Sequence, residues 1–160
     1  MEGDKEFENF IRDAYEAVYD NINKNIDSIK LKNTGDLVLV IRIMFEKSNA
    51  LEIHFVTNKK LYGIFLGKIK SRDLKEWEIP PEKLPLNSTK NAGGNNVMVR
   101  FLENDDIFNR TVYMIQYRIE NFSERKKQMD RLEFSVIDEN LNNIEGGTHN
   151  NRITFTNIYP

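Results

Sequence analysis

Residues 37–45 read LVLVIRIMF, and this run decides the fold of the chain. Alternate positions of a strand point to opposite faces of its sheet, and here both sets of positions are largely apolar. The pattern therefore predicts a central strand that is covered on both faces. One predicted face carries Leu37, Leu39, Ile41, Ile43 and Phe45, and the other carries Val38, Val40, Arg42 and Met44.

The segments after residue 45 predict further strands joined by short turns. The alternating run Leu51–Thr57 follows a turn that contains Ser48-Asn49, and another apolar run extends over 61–70. Connections this short favour antiparallel hairpins, because a parallel partner requires a long crossover. Comparable runs lie at 97–103, 110–121, 132–137 and 153–158. We therefore predict about seven strands, placed within 37–70 and 97–159.

The N-terminal segment carries apolar residues at steps of three and four. This spacing is typical of an amphipathic helix, and it predicts one long helix over about residues 4–30 whose apolar stripe packs on the sheet. Asp4 is a candidate N-cap, and Asn33-Thr34-Gly35-Asp36 predicts the turn that follows. The apolar positions are Phe7, Phe10, Ile11, Ala14, Val18, Ile22, Ile26 and Ile29.

These elements predict a single α+β domain over residues 1–160. The expected architecture is the long helix packed on a curved, mostly antiparallel sheet in the form of a partly open barrel, with a sandwich as the alternative. Gly63 and Gly67 lie inside a predicted strand, where a bend or bulge would let the sheet curl.

Residues 71–96 predict a long loop. The segment holds three of the four prolines and the single tryptophan, Trp77. Pro80-Pro81 excludes a central strand there, although a short strand fits within 75–79. Loops of this length in compact domains are often functional, so Trp77 is a candidate binding residue.

The composition excludes several classes of function. The chain has no cysteine, two histidines and a net charge of −2. These numbers exclude disulfide scaffolds and cysteine nucleophiles, and they give no reason to expect a bound metal, a cofactor or a strongly basic nucleic-acid wrapper. No apolar run of 18 residues and no secretory signal is visible, which favours a cytoplasmic protein away from membranes. The 20 asparagines, beside 17 isoleucines and 14 lysines, indicate an A+T-rich genome.

His54 is the one histidine with a same-face carboxylate on a predicted strand. Glu52, two residues earlier, projects from the same side and fits the partner that orients a general base. The alternative is a half-exposed polar pair on the solvent side of a hairpin. His149 lies in a polar segment, where a surface side chain is the simpler interpretation.

Tyr113 and Tyr117 share one face of the predicted strand over 110–121. With Arg100, Arg110 and Arg118 nearby in the sequence, such aromatics could stack on single-stranded nucleic acid. Packing in the core is the alternative, and the absence of a basic stripe argues against nucleic acid as the partner.

Residues 7–70 resemble the N-terminal subdomain of the ribosome-inactivating proteins, the ricin and Shiga-toxin type of rRNA N-glycosylase. The resemblance rests on Phe10-Ile11-Arg12 in the helix, on LVLVIRI, and on LEIHFVTNKKLYGIFLG. It implies that Tyr62 corresponds to the tyrosine that stacks on the target adenine. The family's Glu-Ala-Ala-Arg motif is missing, since Ser123 stands where the arginine would follow Glu120.

The sequence favours a protein-binding module over an enzyme. The expected partner is a toxin, a nuclease or a host enzyme that this chain neutralises, in the manner of an immunity protein or inhibitor. Tyrosine and tryptophan are frequent anchors of such interfaces, which makes Trp77, Tyr62, Tyr113 and Tyr117 the candidate binding residues. An rRNA N-glycosylase-like protein and a carrier with an apolar pocket between helix and sheet are the alternatives.

Overall fold

The structure is a computed structural model, and it describes residues 2–31, 35–71, 77–78, 88–90, 97–104, 110–137 and 151–154. The chain begins with helix α1 (Glu2–Val18), and a second, shorter helix α2 (Phe122–Gln128) lies late in the sequence. The strands before α2 are β1 (Asn23–Lys30), β2 (Leu37–Phe45), β3 (Ala50–Thr57), β4 (Gly63–Ser71), β5 (Trp77–Glu78), β6 (Ser88–Lys90), β7 (Val97–Arg100), β8 (Leu102–Asn104) and β9 (Val112–Ile119). Strands β10 (Met129–Ile137) and β11 (Asn151–Thr154) follow α2.

The described strands form two antiparallel sheets. The first sheet has the order β1-β2-β3-β9-β8, and the second has the order β11-β10-β4-β7-β6, with β5 paired to β4. Because the strands divide between two sheets, they do not close into a barrel. The α+β class and the antiparallel pairing predicted from the sequence are confirmed.

The first sheet is the middle layer of the molecule. On one face, Phe7, Ile11 and Tyr15 of α1 pack against alternate residues of β2. On the other face, residues of β2, β3 and β9 share a core with Phe134 and Val136 of the second sheet. The predicted double coverage of β2 is confirmed, since Leu39 and Ile41 contact the helix side while Val38 and Val40 contact the second sheet.

The prediction of one helix over residues 4–30 is wrong in its second half. The helix ends at Val18, Asn21 adopts a positive φ of 61°, and residues 23–30 pair with β2 as an edge strand. Isoleucine, asparagine and serine in NKNIDSIK favour extended or turn conformations, whereas the segment before residue 19 is rich in strong helix formers. Ile26 contacts the helix-side core and Ile29 the core between the sheets, as opposite faces of a strand require.

Of the two glycines at which the sequence predicted a bend or bulge in β4, one lies near a bulge and the other at a close approach of two strands. At Gly63 a Cβ atom would overlap the carbonyl oxygen of Val99, so only glycine fits this close approach of β4 and β7. Near Gly67 the register with β10 shifts between the pairs Leu66–Phe134 and Ile69–Leu132, which is a β-bulge.

Three asparagines adopt a positive φ at the ends of helices or strands, namely Asn21, Asn49 and Asn121. Asn49 in the turn between β2 and β3 has a φ of 52°, and Asn121 before α2 has the same value. These two residues meet, because Asn49 Nδ2 donates to Asn121 Oδ1 at 3.2 Å. Asn49 Oδ1 also accepts the N–H of Ser123 in the first turn of α2. The charged segment Phe122–Gln128 is therefore a helix whose first turn is capped by Asn49.

The predicted loop over 71–96 contains two short strands. Trp77–Glu78 pairs with β4 inside the predicted interval 75–79, and Ser88–Lys90 pairs with β7. Residues 72–76, 79–87 and 91–96, which include Pro80-Pro81, lie outside the described residues. His149 also lies outside them.

Candidate functional site

The two sheets meet at a corner where the chain crosses from one to the other. It crosses once between β3 and β4, and again at Phe101 between β7 and β8. A buried Thr57 hydroxyl fixes the first crossing by donating to the carbonyl of Leu37 at 2.9 Å and accepting the N–H of Lys59. The N–H of Phe101 donates to the carbonyl of Tyr62 at 3.1 Å. The two crossings therefore lie side by side.

This corner carries a cleft with a volume of about 420 Å³, which we call the corner cleft. The Arg100 guanidinium lies over the Tyr62 ring, 5.0 Å from its centroid. Tyr62 and Tyr113 are half-buried, so each presents part of its ring to solvent. The complete lining is Lys60, Leu61, Tyr62, Arg100, Phe101, Glu103 and Tyr113.

The charged groups of the corner cleft are exposed and unpaired within the described part of the chain. Lys60, Arg100 and Glu103 all lie at the surface. None of the three takes part in an ion pair among the described residues. Among the described residues, the cleft thus offers two cations without an ion pair beside two aromatic rings, with one carboxylate on the β8 side.

A smaller cleft of about 260 Å³ adjoins the corner cleft along β8. Arg100 and Glu103 line both clefts, and Leu102 and Met114 belong to the smaller one alone. Leu102 is 39% exposed, an unusual position for a large apolar side chain in this chain's strands. Strand β8 is also the last strand of the first sheet in the described residues, and its outer edge lies beside the two clefts.

The structure brings together two of the four predicted binding residues. Tyr62 and Tyr113 face each other across the corner cleft, although 51 positions separate them in the sequence. Tyr117 is fully buried in the core between the sheets, so its side chain is not available to a partner and it does not belong to a binding surface. The backbone of Trp77 lies in β5 of the second sheet, and its side chain lies outside the described part of the structure.

His54 lies in a chain of hydrogen bonds that begins under α1 and ends at the surface. The Tyr15 hydroxyl lies 2.8 Å from His54 Nδ1, and Glu52 Oε1 lies 2.8 Å from His54 Nε2. Arg118 Nη1 then donates to Glu52 Oε2 at 2.6 Å. His54 is 1% exposed, so the alternative of a half-exposed pair on the solvent side is wrong, while the predicted contact with Glu52 is confirmed.

The surroundings of these hydrogen-bonded side chains shift the pKa values of Tyr15 and Glu52. Burial raises the pKa of the Tyr15 phenol far above its usual value, with Tyr19 and Glu52 adding to the rise. The hydrogen bond with His54 lowers the pKa of the Glu52 carboxyl, and Arg118 lowers it further against the opposing effect of partial burial. The ionised Glu52 carboxylate accepts from His54 Nε2–H, and in a neutral imidazole Nδ1 then accepts from the Tyr15 hydroxyl.

A catalytic role is not what this geometry favours for His54. The arrangement has the form of a base held by a carboxylate, but both nitrogens are occupied by protein groups. Tyr15 is also 1% exposed, so its hydroxyl is closed to a substrate. The hydrogen-bond network instead connects α1 to the first sheet. Each of its buried polar groups has a hydrogen-bond partner in an otherwise apolar core.

The residues that the glycosylase resemblance connects lie apart. Tyr62 shares the corner cleft with Tyr113, near the start of β9, whereas Glu120 follows the end of the same strand. At 3.4 Å per residue, these two ends of β9 are roughly 20 Å apart. Glu120 accepts from Arg118 Nε at 2.7 Å, and Ser123 contacts Asn49. Tyr62 and Glu120 therefore do not form one site.

A larger cleft of about 580 Å³ lies at the other end of the first sheet, between the end of α1 and the β2–β3 turn. Phe45 lines it, and Arg118 stands over the Phe45 ring at 5.5 Å from the centroid. Arg118 is paired with Glu52 and Glu120, and Lys47 is the cation that lines this cleft itself. The corner cleft is the better candidate because it places two tyrosine rings beside two cations, Lys60 and Arg100.

Three of the acidic side chains of α1 form ion pairs. Glu8 pairs with Arg12, Glu6 with Arg110, and Glu16 with Lys24. Ion pairs at such exposed sites add little to stability, but they leave less net charge for a partner to recognise.

Sequence reasoning missed three residues of these sites. Lys60 and Leu102 belong to turns and edges that carry no motif, and Tyr15 was hidden among the apolar positions of the helix. For Leu102, the usable signal was an apolar residue directly after Phe101, which breaks the alternation of the predicted strand.

The described residues hold no group of three or more histidine, aspartate or glutamate side chains arranged for a metal ion. In the same part of the chain, neither helix has the length and apolar character required to cross a membrane. No protein-family model matches the chain, and no curated protein or solved structure is significantly similar to it.

Proposed function

We propose that this chain is a protein-binding module of the inhibitor or immunity type, which neutralises a toxin, a nuclease or a host enzyme by binding it. The observation that carries the proposal is the corner cleft, where Tyr62, Tyr113 and the exposed Arg100 surround one recess. Tyrosine and arginine are enriched among the residues that dominate interface energies, especially where they surround a recess that excludes water.

Two further features support binding over catalysis. The histidine–carboxylate pair that could act as a base is enclosed by α1, and its nitrogens are engaged by Tyr15 and Glu52. The space between α1 and the first sheet, where a carrier would hold its ligand, is filled by packed side chains such as Phe7 and Ile11. The corner cleft, by contrast, is open at the surface, with the exposed Leu102 beside it.

Co-expression with the products of the neighbouring genes tests this proposal. We expect one of these products to copurify with the chain in a fixed stoichiometry and to lose its toxicity or its enzymatic activity. Tyr62→Ala should weaken the complex by a factor of ten or more, since hot-spot truncations cost about 2 kcal/mol or more.

Lys47→Ala is the matched control, because Lys47 is exposed in the β2–β3 turn at the other end of the sheet. The complex should keep its affinity in this variant. If no neighbouring product binds and no toxicity is suppressed, the proposal is wrong. If the chain instead releases adenine from rRNA of intact ribosomes, the glycosylase alternative replaces it.

A further inference from the structure

The edge of β8 and the corner cleft together define what kind of segment a partner would contribute. β8 pairs with β9 along one side, through Leu102–Met114, Glu103–Tyr113 and Asn104–Val112. It is the terminal strand of the first sheet in the described residues, and no described strand pairs with its other side. Strand addition supplies affinity through backbone hydrogen bonds and specificity through alternate side chains.

The two faces of such an added strand would meet different surfaces. The pairing places Glu103 beside Tyr113, which lines the corner cleft, and Leu102 beside Met114, which lines the smaller cleft, while Glu103 borders both clefts. Because side chains alternate along a strand, every second residue of the partner would approach the corner cleft and the others would approach Leu102. An exposed leucine beside a methionine favours apolar side chains at the latter positions.

The charges favour an acidic residue on the corner-cleft side. Arg100 and Lys60 are exposed and form no ion pair within the described residues, while Arg110 and Arg118 each have a carboxylate partner. A carboxylate at Arg100 would gain a charge-assisted hydrogen bond, and the Tyr62 ring already holds the guanidinium in place. Glu103 lies on the β8 side of the cleft and would keep the anion on the side of Lys60 and Tyr62.

From this juxtaposition we infer that the partner is recognised through an extended acidic segment, which adds as a strand to β8 and places a carboxylate between Arg100 and Lys60. The inference deepens the proposed function and rests on it. Single-stranded nucleic acid is also anionic and stacks on tyrosine. It fits less well here, because phosphates cannot form the backbone hydrogen bonds that a strand edge offers, whereas an extended peptide can.

Fluorescence anisotropy with two labelled synthetic peptides tests the inference on the full chain. The probes are an acidic peptide, TVEVEVT, and its lysine counterpart, TVKVKVT, which share the same strand propensity. We expect the acidic peptide to bind at least ten times more tightly than the lysine peptide. The double variant Arg100→Gln/Lys60→Gln should abolish this preference, since losing one charge-assisted contact accounts for about a tenfold change.

The matched control is Arg110→Gln/Lys47→Gln, which removes the same two charges elsewhere. Arg110 also lies over an aromatic ring, Phe10, at 4.3 Å, but it does not line the corner cleft. This control should keep the preference. An acidic peptide with N-methylated backbone amides should bind neither the wild type nor the control variant, because it cannot form the strand pairing.

Three outcomes would overturn the inference. These are failure of the acidic peptide to bind at millimolar concentration, equal binding of the two peptides, and a preference that survives the double variant. Tighter binding of a labelled ten-residue oligothymidine than of the acidic peptide would assign the cleft to nucleic acid instead. A partner found by co-expression that binds the Arg100→Gln/Lys60→Gln variant unchanged would leave the proposed function intact while rejecting this inference.

Discussion

At the scale of single residues, His54 shows how a buried polar group is retained in an apolar layer. Its two ring nitrogens have partners at 2.8 Å on opposite sides, one from α1 and one from its own strand. A buried polar atom without a partner costs about 1–3 kcal/mol, so this arrangement holds only while both partners remain. The geometry of the pair was accessible from the sequence, because Glu52 and His54 share a strand face. Tyr15 was not, since nothing in the sequence states which helix residue lies above a given strand.

Tyr15→Phe should therefore destabilise the protein by about 1–3 kcal/mol, because the substitution leaves His54 Nδ1 buried without its hydrogen-bond donor. Urea unfolding followed by circular dichroism measures the change. Tyr19→Phe is the matched control, since Tyr19 stacks on Tyr15 at 5.4 Å and is only half-buried. Its free energy of unfolding should stay within about 0.5 kcal/mol of the wild type. Equal effects of the two substitutions would contradict the role of the Tyr15 hydroxyl.

Glu52 makes part of the stability dependent on pH. Its contacts with His54 and Arg118 lower its pKa below the ordinary value of 4.5. A carboxyl with a lowered folded-state pKa stabilises the protein fully above the unfolded-state pKa, and this contribution is lost as the pH falls through the folded-state value. We expect Glu52→Gln to lose less stability than the wild type between pH 6 and pH 3. Glu46→Gln, an exposed carboxylate replaced in the neighbouring turn, should follow the wild-type curve. Parallel pH curves for the wild type and Glu52→Gln would refute this prediction.

At the scale of elements, the N-terminal segment shows where periodicity stops being decisive. Ile22, Ile26 and Ile29 continue the spacing of a helix, yet the same residues fit a strand whose two faces are both covered. Local preference decides between the two, since asparagine at 21 takes a left-handed conformation and residues 23–30 include few strong helix formers. By contrast, β2 has the predicted bounds. Its nine residues lie between two turns, and a helix of nine residues would have only about two and a half turns.

The contact between β4 and β7 gives a prediction for Gly63. Replacing it with alanine would push a methyl group into the Val99 carbonyl, which is backbone and cannot rotate away. Overpacking of this kind costs about 1–3 kcal/mol, so Gly63→Ala should lower the urea midpoint. Gly3→Ala is the control, because nothing lies within 4 Å of a Cβ at this position in the first turn of α1. That variant should be neutral or stabilised by up to about 1 kcal/mol. A Gly63→Ala protein as stable as the wild type would mean that β4 and β7 separate at low cost.

At the scale of the whole molecule, the sequence predicted the elements better than their assembly. Short turns and alternating strands indicated an antiparallel α+β fold, but the division into two sheets depends on where the chain crosses between them. One crossing lies at Phe101, inside what appeared in the sequence as one strand over 97–103. The corner cleft exists only because of this crossing. Tyr62 and Tyr113 could be named from residue type alone, whereas their proximity could not.

The first sheet contributes alternate side chains to both cores, so the two cores should unfold together. Ile11 is fully buried between α1 and the first sheet, and Ile11→Ala should cost about 2–5 kcal/mol. If the layers are one cooperative unit, this cost appears equally in the circular dichroism of α1 and in the fluorescence of Trp77, which belongs to the second sheet. Val18→Ala, at a helix position that is 58% exposed, should move neither transition. A shift confined to circular dichroism would show that α1 can separate while the two-sheet core stays folded. We expect coincident transitions, because Val38 and Leu39 are neighbours in one strand and pack into opposite cores, so neither core can loosen without displacing β2 from the other.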